Sequence, residues 1–234
     1  ADHNHLCGCR LCRGNRPLWL YASRAIGERP LNATVSELSC HTAGRGPAAP
    51  TKDSDPVTTE IIRSALNSCA AQMMQVLLRT AFSNIVVESR DFAIAIYDPE
   101  IRLMAQADTL PVFIGTMNFC IEAAVEAVGG AAALEHGDVI VYNLPYGTGS
   151  HAKDAAMVMP AFLDGVLVGY ICNKSHWMDI GAKDPYCTDT IDVFQEGLML
   201  PGLKLYRRGE LNTDVLRIIR ANSRMPREVN GYIQ

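Results

Sequence analysis

Two short stretches of this sequence hold residue types suited to gripping a metal ion. PYGTGSHAKD runs from Pro145 to Asp154, and HWMDIGAKD runs from His176 to Asp184. Each places an aspartate three residues after a histidine: His151 with Asp154, and His176 with Asp179. Imidazole nitrogen and carboxylate oxygen are donors that divalent metals accept. Two imidazoles and one carboxylate leave positions open for water or substrate. Taken singly, such a pair serves equally well to satisfy hydrogen bonds within a turn. The question is whether the chain brings the two stretches together.

The residues between them supply the means. AMVMPAFLDGVLVGYICN reads as two strands joined at Asp164-Gly165, the sequence of a type I′ turn. With Leu163 facing Val166, the ladder extends to Ala156 opposite Asn173, Asp154 opposite Ser175 and Lys153 opposite His176. Neighbouring strands lie about 4.8 Å apart. His176 is therefore expected beside Asp154 at the open end of the hairpin, with His151 one loop turn away. That makes His151, Asp154 and His176 the candidate metal ligands. Asp179 is either a fourth ligand or an acceptor that orients His176. His136 falls in a turn before the next strand and reads as a surface residue. Gly147, Gly149 and Gly181 permit tight backbone paths or the approach of a phosphate to backbone N–H groups. A Walker-type phosphate loop is absent, so direct ATP binding is unsupported.

The remaining elements frame this hairpin. Asp55-Pro56 is an N-cap followed by a proline at the first helical position. Ile62, Leu66, Cys69, Met73, Val76, Leu77 and Thr80 then recur at steps of three and four, predicting one long helix that ends near Ala81. FAIAIYDPEIRLMAQA reads as a hairpin turning at Asp98-Pro99-Glu100. Residues 116–128 read as a helix stopped by Gly129-Gly130. DVIVYN is a short strand, LKLY another, and Leu211 to Ala221 a final helix. The expected fold is α+β: a mixed, largely antiparallel sheet with a long N-terminal helix, the metal site in loops at the open end of a hairpin, and the whole part of a larger domain.

The 234 residues have 48% hydrophobic and 20% charged content, ordinary for a globular protein, and a formal charge of −4. No run of about 18 apolar residues suggests a membrane span, and the start lacks the apolar region of a secretory signal. A cytoplasmic protein without membrane or nucleic-acid partners is expected. Residues 1–52 are basic and rich in Cys, Arg, Gly and Pro, whereas residues 53–234 are acidic and periodic. The boundary is drawn there. Cys7, Cys9, Cys12 and Cys40-His41 have the residue types of a small zinc knot, although a single residue between Cys7 and Cys9 is atypical spacing for one. The favoured alternative is a disordered leader. Cys69, Cys120, Cys172 and Cys187 lack paired spacing and read as free thiols.

With these motifs assembled, residues 55–234 resemble the N-terminal part of the hydantoinase B/oxoprolinase family. The resemblance rests on DPVTTEIIRSAL, VESRDFAIAIYD, RLMAQADTLPVFIGTM, GDVIVYNLPYGTGSHAKD, HWMDIGAKDPYC and DVFQEGLMLPGLKL, in the family's order. It implies a metal-binding subunit, with manganese, zinc or iron on His151, Asp154 and His176. It also implies a hetero-oligomer with a hydantoinase A-like partner that uses ATP to phosphorylate a small-molecule substrate. An acid of VESRD approaches the site in the family; Glu88 is the first candidate and Asp91 the second. Glu88 or Asp179 would serve as general base, and Lys174 and Lys183 would hold a phosphorylated intermediate. The tail DIGAKDPYC departs from the DIGG form of the hydrolases, which points to an ATP-dependent ketone carboxylase like acetone carboxylase. The alternatives are ATP-dependent hydrolysis of a cyclic amide and a non-catalytic assembly module. Leu144 stands where the family usually has an acid.

Overall fold

The structure, a computed structural model, describes residues 55–233 apart from Gly147, Gly149, Ser150 and Tyr186. The expectations for residues 1–52 lie outside the described residues. Helix α1 spans Pro56–Thr80, and the Asp55 carboxylate accepts from the N–H groups of Val57 and Thr58. Its second half buries Cys69, Ala70, Met73 and Leu77, while Ile62 is 44% exposed. A short helix α2, Asn84–Val87, leads into strand β1, Phe92–Tyr97, and β2, Leu103–Gln106.

Helix α3 spans Pro111–Ala127 and begins five residues before the expected 116. Leu110 at its N-cap offers no side-chain acceptor, so Pro111 is the one start signal there. Strands β3 (Val139–Tyr142), β4 (Asp154–Leu163), β5 (Val166–His176), β6 (Pro201–Arg207) and β7 (Glu210–Leu211) follow. Helices α4 (Thr213–Ala221) and α5 (Pro226–Ile233) complete the described chain.

The strands form one seven-stranded sheet in the order β2-β1-β5-β4-β3-β6-β7, with every neighbouring pair antiparallel. The expected α+β class and largely antiparallel sheet are borne out. Both faces of the sheet are covered. On β1, Phe92, Ile94 and Ile96 join a core with α1, α4 and α5, whereas Ala93, Ala95 and Tyr97 join a second core under α3. Burial on both faces explains why FAIAIY is apolar throughout rather than alternating.

The β4–β5 hairpin decides the geometry of the site. Asp164 and Gly165 both have positive φ, 49° and 80°, as a type I′ turn requires. Leu163 pairs with Val166 and Phe162 with Leu167, as expected, but Ala161 pairs with Gly169. A bulge at Val168 has shifted the ladder by one residue. Asp154 therefore stands directly opposite His176, rather than opposite Ser175. A one-residue slip exchanges the faces on which side chains emerge. The bulge thus puts Asp154 and His176 on the same face, the one covered by α3; the unbulged register would separate them. Gly169 is required beside the bulge, because a Cβ there would run into the Tyr97 carbonyl on β1.

Candidate metal centre

His176 is the last residue of β5, and its backbone N–H donates to the Asp91 carbonyl at 3.1 Å. Asp154 is the first residue of β4, and its N–H closes a turn onto the His151 carbonyl at 3.1 Å. His151 lies on the β3–β4 loop. The following residue is gripped from two sides: Asn143 Nδ2 donates to the Ala152 carbonyl at 2.6 Å, and the Ala152 N–H donates to Glu196 Oε2 at 3.0 Å. Asn143 also takes the Leu200 N–H and gives a bond to the Leu198 carbonyl, fastening the loop to the start of β6.

These constraints converge three donors. Asp154 Oδ1 lies 2.9 Å from His151 Nε2 and 3.2 Å from His176 Nδ1. The two imidazole centroids are 4.9 Å apart, and one donor atom from each of the three residues falls within 4.8 Å of the others. Donors held about 2.0–2.2 Å from one ion sit ~3–4 Å from each other, so the spacing suits a single divalent cation. The chemistry of the set agrees, since two imidazoles and a carboxylate serve manganese, iron or zinc.

The electrostatics express the same crowding. Burial opposes ionisation of Asp154, yet hydrogen bonds from His151 and His176, with their charge, hold its carboxyl down at about 2. The bond to Asp154 raises the His151 pKa against the opposing effect of burial. Asp91 Oδ2 lies 3.9 Å from His176 Nδ1. Burial raises the Asp91 pKa, and the neighbouring Asp154 charge adds to that rise while the histidines oppose it.

The hydantoinase B/oxoprolinase family matches residues 55–234. This chain belongs to that family. Among its relatives is the beta chain of the caprolactamase of Pseudomonas jessenii, 31% identical over 172 residues, which cover 73% of this chain and 29% of that one. The B component of a putative D-/L-hydantoinase of a Pseudomonas species is 31% identical over 188 residues, covering 78% and 32%. In structure, a nucleotide-free acetone carboxylase superposes with TM-score 0.70 at 19% identity, covering 76% of this chain and 24% of that one. The last likeness is one of fold. The chain spans about a third or less of these relatives, so the described fold is part of a larger domain in the family.

Within the family fold, the other expected site residues take varied positions. Glu88 is exposed at the C-cap of α2, outside the cluster. The acid of VESRD that reaches the centre is Asp91. It immediately precedes β1, and the β1–β5 ladder, in which Phe92 pairs with Ser175, carries Asp91 to His176. Asp179 is 1% exposed and fully engaged elsewhere. It accepts from Gly181 N at 3.1 Å, Arg224 Nη1 at 2.8 Å, Ser223 Oγ at 3.4 Å and the Arg224 backbone N–H. Those bonds make it a clamp between the loop after His176 and the α4–α5 connection, with no acceptor capacity left for a base.

Lys183 is exposed and pairs with Asp189 at 2.5 Å, away from the three donors. Lys174 is fully buried on the same face of β5 as His176, two residues along and thus about 7 Å away. Its cross-strand neighbours are Ala93 and Ala156, whose small side chains leave room for the long stem. Its ammonium donates to Thr116 Oγ1 at 3.0 Å and lies 5.7 Å from the Phe113 ring centroid. Leu144 is packed against the core under α3, and its carbonyl accepts from Thr148 Oγ1 at 2.6 Å. Leu144 thus serves as apolar packing in the structure.

Two further residues emerge only in three dimensions. Glu196 ends a 3-10 turn, Val193–Glu196, and its Oε2 lies 3.5 Å from His151 Nδ1. Lys153, 2% exposed, donates to the carbonyls of Asp184 and Pro185 at 3.2 and 2.7 Å, tying the Asp154 turn to the loop after His176. Among the described residues no helix is long and apolar enough to cross a membrane.

Proposed function

We propose that this chain forms the metal-binding part of an ATP-dependent enzyme that opens a cyclic amide, with a hydantoinase A-like partner phosphorylating the substrate. The observation that carries this reading is the convergence of His151, Asp154 and His176 at the open end of the β4–β5 hairpin. These residues would hold a divalent ion. Bound there, the ion would supply Lewis-acid polarisation of a carbonyl or phosphoryl oxygen and favour deprotonation of water. Asp91, beside His176, is the carboxylate placed to accept a proton or to steady that imidazole. Lys174, fully buried with its Nζ on Thr116 Oγ1, joins β5 to α3 beneath this site rather than facing a substrate.

The amide reading is supported by relatives at about 30% identity whose names are caprolactamase, hydantoinase and 5-oxoprolinase. Ketone carboxylation is the second reading, drawn from Ala182 in DIGAKDPYC where the hydrolases have glycine. Ala182 is 2% exposed and its carbonyl accepts from Arg224 Nη2 at 2.6 Å, so this difference falls in the scaffold around Asp179 rather than among the three donors. The test is twofold. Elemental analysis should find about one divalent ion per chain, lost in His176→Ala. Combined with ATP and a hydantoinase A-like partner, the chain should open a lactam or hydantoin. Bicarbonate fixation into a ketone, with lactams untouched, would establish the second reading instead.

A further inference from the structure

The three donors are not supported equally. His176 ends a paired strand and its side chain is 9% exposed, whereas the His151 side chain is 41% exposed on a loop. An imidazole offers one lone pair when neutral, and which nitrogen carries it is decided by what the other nitrogen meets. On His151, Nε2 faces Asp154 at 2.9 Å, and Nδ1 faces Glu196 Oε2 at 3.5 Å. Glu196 is itself held. Oε2 accepts the Ala152 N–H at 3.0 Å, Oε1 lies 3.4 Å from Thr190 Oγ1, and Asp192 caps its turn through the Gln195 N–H. The same segment bonds to the far side of the centre. Lys183 N–H donates to the Gln195 carbonyl at 2.8 Å, and Leu198 N–H to the Ile180 carbonyl at 2.8 Å.

We propose that Glu196 is the positioning residue of the metal centre: with an ion in place of the proton on Nε2, it would accept from His151 Nδ1–H and so keep the Nε2 lone pair aimed at the ion. A carboxylate on the outer nitrogen also raises the donor strength of the inner one and limits ring rotation. The segment from Ile180 to Leu198 is then the strap that sets the distance between the two histidine loops, with Glu196 as its contact on the exposed ligand. The inference rests on the metal reading and adds to it a residue outside both histidine stretches.

The test uses the full chain, Mn²⁺ as the titrated ion, diamagnetic Zn²⁺ in its place for spectra, and two readouts that do not depend on turnover. Calorimetric titration should give Glu196→Ala an Mn²⁺ affinity about 10–100-fold below wild type. Glu196→Gln, which keeps an acceptor without the charge, should fall between them. Nitrogen-15 and proton spectra of the Zn²⁺-loaded chain should show a His151 Nδ1–H that exchanges slowly with water in the wild type and rapidly in Glu196→Ala, while His176 is unchanged. Glu196→Gln showing slowed Nδ1–H exchange with intermediate affinity would separate positioning from simple loss of folding. If wild type binds Mn²⁺ and Glu196→Ala binds it equally well with the same His151 Nδ1–H exchange, this inference fails and the metal centre stands. If wild type binds no Mn²⁺, both fail together.

Discussion

Replacing Asp179 by alanine separates a structural clamp from a catalytic base. The buried carboxylate accepts from Gly181 N–H, Ser223 Oγ, Arg224 Nη1 and the Arg224 backbone N–H. Arg224 also donates to the Ala182 and Lys183 carbonyls at 2.6 and 3.2 Å, so one pair of residues ties the loop after His176 to the α4–α5 connection. Breaking a buried ion pair from one side costs about 3–5 kcal/mol when the remaining charge stays buried. Here the Arg224 side chain is 48% exposed and is rehydrated once freed, which removes much of that penalty. The backbone donors left behind are partly reached by water as well. A loss of about 2–3 kcal/mol is expected, which for a fold of this size lowers the melting temperature by roughly 4–12 °C. Asp179→Asn, keeping an acceptor oxygen, should lose about half as much. Thermal denaturation followed by circular dichroism measures this, alongside metal content per folded chain. A variant that melts with wild type yet is inactive would refute the clamp and restore Asp179 as a base.

Other predictions follow from the same contacts. Saturating divalent metal at about 100 times its dissociation constant should stabilise the chain by about 2.7 kcal/mol, visible as a raised melting temperature that chelator reverses and His151→Ala abolishes. Asp91→Asn should weaken metal binding or turnover while Glu88→Gln leaves both at the wild-type level; equal effects would return Glu88 to the site. Asp138, fully buried, accepts from Lys204 Nζ at 2.7 Å and from the Glu135 and Arg208 N–H groups. Burial alone would raise its pKa, but these bonds depress it below the ordinary 3.8. Its stabilisation is therefore complete above pH ~4 and lost as pH falls through the lower folded value, so Asp138→Asn should flatten the acid limb of a stability–pH curve. Gly181 has φ +84°, and a Cβ there would lie 2.6 Å from the Asn222 carbonyl oxygen; Gly181→Ala should lower the denaturation midpoint by more than an ordinary surface substitution.

Much of the site is legible in the sequence because a hairpin is a local object. Asp164-Gly165 fixes the turn, and the turn carries Asp154 and His176 to one end. The face on which they emerge is not legible, since a bulge is decided by what lies across the ladder. Gly169 is the single mark of it, and a lone glycine within a strand signals either a bulge or a close backbone approach; here it accompanies both. Asp91 is readable as the residue before β1 once β1 is known to pair with β5, a long-range fact that periodicity does not contain. Glu196 lies in a stretch without sustained period, and nothing local relates it to His151. Helix α5 is equally quiet. Its eight residues are too few for a periodic signal, and its value lies in Tyr232, which stacks on Trp177 at 5.2 Å and accepts the Met178 N–H at 2.9 Å.

The supports of the two histidines differ in kind, and the difference bears on how the site works. His176 is fixed by the sheet. Its N–H is bonded to Asp91, Asp154 is its cross-strand partner, and the residues that follow are pinned by Tyr232, Asp179 and Lys153. His151 is held through its neighbour: Asn143 and Glu196 both bond to Ala152, and Glu196 Oε2 lies 3.5 Å from the ring. The open ground lies on its side: a cavity of about 420 Å³ bounded by His151, Glu196, Tyr146 and Ile191, the last two 70% and 88% exposed. A sheet-borne ligand keeps its place when neighbouring loops are altered, whereas a loop-borne one follows its struts. Substitutions at Asn143 or Glu196 should therefore register first at His151, and substitutions at Asp179 or Tyr232 in the stability of the fold beneath His176.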